Sequence, residues 1–528
     1  METSGASLDW IVLADLVPGR ELTGAAPAVD KDSLDGFLRE CAPAIQIAGR
    51  TLEFREFKDF RPERLARQIP EVAALLALRT QALDLAAGKG SPESLRERLA
   101  AYPDLAAALQ EAPKAPAPEA ARPAPPPVPP PSGSVFDLVD VEGSKAPPPP
   151  PVTGFKDLLD EIVGSGRAPG GPSPAALRRL AAGAEASAGR ALRAILHHPA
   201  VQGLEAAWRG FRYFVRSLDF RAGCRLRVVP VPAARLLHAV KEVALPLAEE
   251  SRAQGRLAPL LLDFALDPSE ETAGLARAAA ARSVPVLASA AATSDPAWDA
   301  IRSLEAARGL ALAVNGFLLR APYGKETDPV RDFPFEESGA AGPWGRPAWL
   351  LAALVSASVV RTGWGVDFAG REAAEALEAL PVRPVEVRPG ETVQIPLEQD
   401  FGEAAARALD AAGFLPIACR RNSDRPFAAG SAVAGRGGGT LRDALFAAQV
   451  SATLESILPS LDPTRSLAEI ARTLGAGLEL MGLSEHGPAY TVEASPSEDT
   501  PGAIVRVRPA GPRLRGLADL EFKVPFPL

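Results

Sequence analysis

Cysteine is nearly absent. Cys41, Cys224 and Cys419 are the only three in 528 residues, too few, too far apart and odd in number for a disulfide framework or a thiolate metal site. That usage points to a reducing compartment, the cytoplasm. Histidine is equally scarce: His197, His198, His238 and His486 leave little from which to build a catalytic triad or a zinc site. Adjacent His197 and His198 would project about 100 degrees apart from a helix and do not converge on one metal. Basic charge is in deficit, with 57 Lys and Arg against 65 Asp and Glu and a net charge of -8. No surplus remains to neutralise phosphates, which argues against nucleic acid as a main partner. There is no run of about 18 uncharged apolar residues, and Met1 to Asp9 lacks a charged stretch followed by an apolar one, so membrane insertion and a signal peptide are disfavoured.

Other chemistry is missing too. Gly435-Arg436-Gly437-Gly438-Gly439-Thr440 lacks the Gly-Lys-Ser/Thr of a phosphate loop and reads as a flexible loop. The carboxylate pairs Glu249-Glu250, Glu270-Glu271 and Glu336-Glu337 are adjacent, not spaced to converge, and read as solvated surface. No catalytic residue, metal ligand or cofactor site assembles, and the sequence does not read as an enzyme.

What is present is enough apolar residue, 47%, to bury real cores over most of the length. The exception is the stretch from Pro113 to Pro151, which holds 15 of the 53 prolines and cannot sustain a ladder or a helix. It reads as a linker able to span on the order of 100 Å if extended as polyproline II. Within it, Val135-Phe136-Asp137-Leu138-Val139-Asp140-Val141 is an apolar island rich in strand formers. It is either a docking strand or plain spacer.

Before the linker, Trp10 to Leu16 and Leu52 to Phe57 read as strands and Ser33 to Leu38 as a helix start. Leu65, Ile69, Val72, Leu76 and Leu83 line one helical face that Pro70 kinks or restarts, and Ser91 to Glu111 reads as a further helix. After the linker, Phe155, Leu158, Leu159 and Ile162 form the apolar stripe of a short helix, Phe155 to Val163, too short to be stable by itself. Pro174 to Leu196 and Gln202 to Val215 read as helices, the second with Leu204, Trp208 and Phe211 as core anchors. Arg225 to Val231, Leu260 to Phe264 and Val284 to Ala288 read as strands around a helix at Ala273 to Ala281. Strands alternating with helices on both sides make the fold class α/β: two parts joined by a long Pro-rich linker.

Several segments carry a family resemblance. Val29 to Asp35, Phe57-Lys58-Asp59-Phe60-Arg61-Pro62-Glu63 and Gln68 to Val72 resemble the small subunit of the type VI secretion sheath (TssB, or VipA). His197-His198-Pro199 with Leu204 to Gly210, then Leu319 to Lys325, Trp344-Gly345 with Trp349, and Gly413 to Ile417 resemble, in order, its large subunit (TssC, or VipB). The division this implies is a small-subunit part at 1–111, linker at 112–152, a helical segment at 153–196, a large-subunit core at 197–427 and a divergent remainder at 428–528.

The resemblance implies a structural protomer that assembles with itself into a helical sheath, encloses an inner-tube protein, docks on a baseplate, and contracts to propel the tube. It also implies that Phe155, Leu158, Leu159 and Ile162 recruit the AAA+ ATPase that recycles contracted sheath, the alternative being a local packing helix. The family carries an exchanged N-terminal strand for which little sequence precedes Trp10. Val135, Phe136, Leu138, Val139 and Val141 are the candidate replacement. A sheath-derived adaptor or scaffold that does not contract is the alternative to the sheath itself.

Overall fold

The computed structural model describes residues 8–20, 26–101, 173–290, 293–337, 342–437, 439–460, 465–479, 490–497 and 502–525. The protein is α/β and divides into two compact units. One comprises Met1–Cys41, Leu204–Arg320 and Gly342–Leu528, the other Ala42–Gly203 and Ala321–Ala341. Each therefore draws on chain from both sides of the proline-rich stretch.

The larger unit is built on a seven-stranded sheet in the order β13-β12-β7-β6-β5-β1-β4. Its strands are β1 (Asp9–Ala14), β4 (Arg225–Pro230), β5 (Leu260–Leu266), β6 (Val286–Ala290), β7 (Leu310–Val314), β12 (Leu415–Ala418) and β13 (Phe427–Ala428). All neighbours run parallel except β12 and β13. Every residue of β1 is buried, as expected of an interior parallel strand covered on both faces. Its alternation assigns the faces. Ile11 and Leu13 join Leu260, Leu262 and Leu312 under the helical run Leu236 to Ala253 and the helix Glu270–Ala280. Trp10 takes the other face, where its ring meets Phe214 edge-on at 5.4 Å and its Nε1 donates to Ser356 Oγ at 2.8 Å.

That second face is closed by the helix Pro347–Thr362 and by the helix Pro199–Ser217 from Leu204 onward. Pro347 sits in the first turn, where its missing N–H is no loss, and Gly363 ends the helix in the left-handed conformation (φ 79°). Two short pairs follow the sheet strands: β8 (Phe317–Leu318) with β9 (Trp344–Gly345), and β10 (Arg383–Arg388) with β11 (Glu391–Ile395). A separate apolar cluster is formed by the helices Leu441–Ile457 and Leu467–Glu479 and a three-stranded antiparallel sheet. The strands are β14 (Tyr490–Pro496), β15 (Gly502–Pro509) and β16 (Leu520–Pro525), with Phe446, Val450, Leu474, Val505 and Val507 at the centre.

In the smaller unit, β2 (Ala44–Ile47) and β3 (Arg50–Glu53) form a hairpin. Its two turn residues, Ala48 (φ 47°) and Gly49 (φ 73°), both have positive φ, the conformation that matches strand twist in a two-residue turn. Pro70 restarts the helix: Pro62–Gln68 ends there and Pro70–Ala86 begins with the proline in its first turn. Pro70–Ala86 packs along Pro174–Leu196, which is capped by the Ser173 side chain accepting from Ala176 N. Arg79 and Glu185 pair across the two helices at 2.5 Å.

Two sequence expectations are corrected. The Gly435 to Thr440 stretch, read as flexible, is a fastened turn in its described residues. Arg436 N donates to Arg302 O and its guanidinium pairs with Asp299 at 2.7 Å. Gly435 lies so close to Arg308 that a Cβ there would stand 2.7 Å from the Arg308 backbone nitrogen. Thr440 and Asp443 then form a capping box opening the helix Leu441–Ile457. Of Glu336-Glu337, read as solvated surface, Glu336 is exposed as read but Glu337 is buried, and together they tie a turn: Glu337 Oε2 accepts from Tyr323 N at 2.9 Å and Glu336 Oε1 from Lys325 N at 3.0 Å. The Glu337 side chain is 1% exposed.

Candidate functional site

Of the segments singled out after the linker, Leu204 to Gly210, Trp344-Gly345 with Trp349, and Gly413 to Ile417 lie in the larger unit, whereas His197-His198-Pro199 and Ala321 to Lys325 belong to the smaller. The helix Pro199–Ser217 aims Leu204, Trp208 and Phe211 into the core, where all three are buried. Trp208 Nε1 donates to Leu16 O at 2.9 Å, so the indole fills apolar space without orphaning its N–H. Phe37, Trp208, Phe211, Trp349 and Phe214 continue as a chain of ring contacts at 5.5 to 6.1 Å. Gly210 is part of this packing, because a Cβ there would lie 2.6 Å from Trp349 Nε1.

Among these rings sits a charged pair that periodicity does not disclose. Glu205 Oε1 accepts from Arg320 Nε at 2.8 Å and from Arg209 Nε at 2.7 Å, with the Glu205 and Arg320 side chains 0% and 6% exposed. The carboxylate thus has two guanidinium partners, the condition under which a buried charge is tolerated. Three further acids, Asp263, Asp15 and Asp9, belong to the same unit. Asp263, in the middle of β5, accepts from Trp349 Nε1 at 2.8 Å and faces Arg346 at 3.3 Å. Burial pushes its carboxyl above the usual range, against the pull of Arg346 and Trp349. Burial raises Asp15 as well. At the amino end of β1, Asp9 pairs with Arg256 at 2.5 Å, and Arg256 also donates to Leu8 O and Gly223 O. This clamp ties β1 to the strands on either side.

None of these groups forms a reaction centre. Burial pushes the Cys41 thiol up to about 12 and those of Cys224 and Cys419 up to about 11, the opposite of what a nucleophilic cysteine needs. Burial lowers His198, whose Nδ1 accepts from Ala200 N at 3.2 Å. Among the described residues no group of three or more His, Cys, Asp or Glu could hold a metal, and no helix is long and apolar enough to cross a membrane.

A cleft of about 810 Å³ lies at the carboxyl end of β12, bounded by the helix Glu403–Ala411, the 366–371 loop and Pro512-Arg513. Its three acids are engaged. Asp367 accepts from Arg361 at 2.8 Å, Glu403 pairs with Arg407, and Asp410 Oδ1 accepts from the backbone N of Ser431 and Ala432 at 2.9 Å. Arg442 spends its donors on Val366 O and Arg513 O. Arg371 lies over the Phe427 ring at 5.8 Å. Arg371, Arg420 and Arg513 have no carboxylate partner among the described residues.

The four residues Phe155, Leu158, Leu159 and Ile162, and the five residues Val135, Phe136, Leu138, Val139 and Val141, lie outside the described residues. The structure brings together Leu204, Trp208 and Phe211. The partners that sequence reasoning missed are Glu205, Arg320, Gly210 and Asp263; the first three lie in the ordered motif segments, and Asp263 lies in the stretch Leu260 to Phe264 read as a strand.

Comparison with known proteins gives the two halves separate relatives. Residues 25–111 match the VipA family of the type VI secretion system. Residues 180–249 and 268–433 match the tail sheath N-terminal domain of the EvpB/VipB family. The matched range is interrupted between 249 and 268, and 434–528 lies beyond it. The type VI secretion system sheath protein TssC1 of Pseudomonas aeruginosa is 27% identical, over 44% of this chain and 55% of that protein. The chain thus spans about half the length of the curated relative it matches. Two solved structures of the anti-feeding prophage, its baseplate and its contracted helical sheath, cover 60% of this chain and 80% and 81% of theirs, at 14% identity and TM-scores of 0.36 and 0.34.

Proposed function

The chain is a fused sheath protein, a TssB-like (VipA family) part followed by a TssC-like (VipB family) part, and from this we propose that it is a protomer of a contractile type VI secretion sheath. The observation that carries the reading is the presence of both sheath families in tandem in one polypeptide. In this reading the protomer polymerises around an inner tube, anchors on a baseplate and passes from an extended to a contracted packing that drives the tube outward. The role is structural, performed in the cytoplasm, and needs no cofactor. Mechanistically it is a bistable assembly, two packings of rigid subunits whose energy difference is stored when the tube is built.

The rigid parts are consistent with such a load. β1, from before the linker, lies between β4 and β5 from after it, so chain from both sides of the linker contributes to one sheet, and the two parts are made in a fixed one-to-one ratio. Phe155, Leu158, Leu159 and Ile162 are proposed to recruit the AAA+ recycling ATPase, and Val135, Phe136, Leu138, Val139 and Val141 to dock on a neighbouring subunit. Leu159→Asp then abolishes ATPase pull-down while the protein stays folded.

Electron microscopy of the purified protein, alone and with an inner-tube protein, tests the main reading. Striated tubes in long and short forms are expected. Discrete oligomers under both conditions would instead make the protein a sheath-derived scaffold that does not contract.

A further inference from the structure

We infer that the arginine-lined cleft at the carboxyl end of β12 is the receptor for the acidic, apolar segment 135–142 of a second copy of the chain. The inference rests on the docking role given above to Val135–Val141, and it names the surface and the chemistry that recognise it.

The cleft has a cationic excess that its own acids do not consume. Asp367, Glu403 and Asp410 are each satisfied within the unit, whereas Arg371, Arg420 and Arg513 are exposed and have no carboxylate partner among the described residues. An unpaired guanidinium at the rim of a concavity is a ready donor for a carboxylate, in a geometry that allows two parallel hydrogen bonds. The lining also includes the apolar side chains of Phe401, Ala406 and Phe427. A lone phosphate would use the cations and leave those side chains uncovered.

A ligand that uses both must place apolar and acidic groups along one edge. Residues 135–142 read Val-Phe-Asp-Leu-Val-Asp-Val-Glu. In an extended chain alternate side chains share a face, so Phe136, Leu138, Asp140 and Glu142 lie in a row, two apolar groups followed by two carboxylates. Successive members of that row stand roughly 6.6 Å apart, a spacing suited to separate guanidiniums rather than one. In the receptor, Arg420 follows β12, which ends at Ala418, while Arg513 comes from the segment between β15 and β16, beyond the residues that match the sheath domain. A segment bound here would therefore fasten a neighbour to both the matched domain and the C-terminal part at once.

The test is fluorescence polarisation of a labelled synthetic peptide of residues 133–144 titrated with full-length protein at submicromolar concentration, where tubes are absent. Saturable binding is expected, weakened by roughly tenfold or more in a peptide carrying D140N and E142Q, and similarly by R420E/R513E in the protein. Both arginines are exposed, so an unchanged thermal unfolding midpoint should accompany the loss. A peptide with lysine at 140 and 142 should bind the R420E/R513E protein in preference to wild type. No saturable binding, equal affinity for the neutral peptide, or displacement by inorganic phosphate at the peptide's own concentration would each overturn the proposal. A protein that forms tubes yet ignores the peptide sinks this inference alone, and one that binds the peptide but yields only discrete oligomers sinks the sheath reading alone.

Discussion

Glu205 and Arg320 stand 115 positions apart in sequence and meet at 2.8 Å inside an aromatic core. The pair joins the helix Pro199–Ser217 to the segment after β8 in the same unit. Removing one member strands a charge where water cannot reach it, at a typical cost of about 3–5 kcal/mol. Arg209 stays bonded to Glu205, so Arg320→Ala should fall toward the lower end of that range and Glu205→Ala, which removes the carboxylate shared by both guanidiniums, toward the upper. Replacing both by alanine should cost less than the two single changes added together. Denaturant unfolding of the four proteins in a double-mutant cycle measures this; strict additivity would mean the pair is not coupled.

Gly210 and Gly203 lie on the same helix and should respond to alanine with opposite signs. At Gly210 the new methyl would enter the Trp349 indole, 2.6 Å from Nε1, while at Gly203 nothing lies within 4 Å. Overpacking typically costs about 1–3 kcal/mol, whereas Gly→Ala on an exposed helical face gains up to about 1 kcal/mol. Gly210→Ala should therefore lower the unfolding midpoint and Gly203→Ala raise it. A shift of the same sign at both positions would show that packing against Trp349 does not set the requirement for glycine.

Much of the local structure is legible in the sequence, because it depends on local signals. Trp10 to Leu16, Arg225 to Val231 and Leu260 to Phe264 carry the apolar runs of buried strands, and Pro174 to Leu196 carries a helical stripe. Pro70 marks a helix restart through its fixed φ and missing N–H. The pairing of β1 with β4 and β5 is not legible, since an all-apolar strand fits either face and any interior position equally well. Glu336-Glu337 misleads for a related reason: adjacency suggests solvent, and only the backbone N–H groups of Tyr323 and Lys325, brought up by the chain's return, make it a cap. The Gly435–Gly437 turn misleads because its glycines serve close approach to Arg308, a tertiary demand.

Asp263 should give stability a pH dependence of defined sign. Burial raises its folded-state pKa above the ordinary 3.8, so the folded protein holds that proton more tightly than the unfolded chain. Its contribution is fully present below about 3.8 and is lost as pH rises through the folded value. Asp263→Asn removes this titration while keeping an acceptor for Trp349 Nε1. The stability of Asp263→Asn relative to wild type should grow from pH 4.5 to pH 7, measured by urea unfolding at each pH. An offset that stays constant across that range would show that Asp263 ionises as freely in the fold as in the unfolded chain.

The three thiols should be nearly inert in the native state. With Cys41 pushed up to about 12 and Cys224 and Cys419 to about 11, almost none is thiolate at pH 8, and the thiolate is the reactive form. Iodoacetamide should modify all three only after denaturation, read by intact mass. Fast native modification of Cys224 in particular would contradict its burial beside the Asp9–Arg256 clamp.

The position of β1 makes the strongest demand on the whole chain. Asp9–Ala14 precedes the proline-rich stretch, yet it pairs with β4 through six residues, Asp9 to Arg225 through Ala14 to Pro230, and with β5 on its other side. A polypeptide of residues 173–528 alone would keep β4 and β5 but leave a gap between them, exposing two unpaired strand edges and the apolar surface that Ile11 and Leu13 cover. Such a fragment should aggregate when expressed by itself. Co-expression with residues 1–111 should restore a soluble complex of the two pieces, because the strand can be supplied without the covalent link. Size-exclusion chromatography of the co-expressed pieces reads the outcome, and Val12→Asp in the shorter piece should abolish the rescue by placing a charge in an interior strand. A 173–528 fragment that is soluble, monomeric and cooperatively folded by itself would show that the sheet closes without β1.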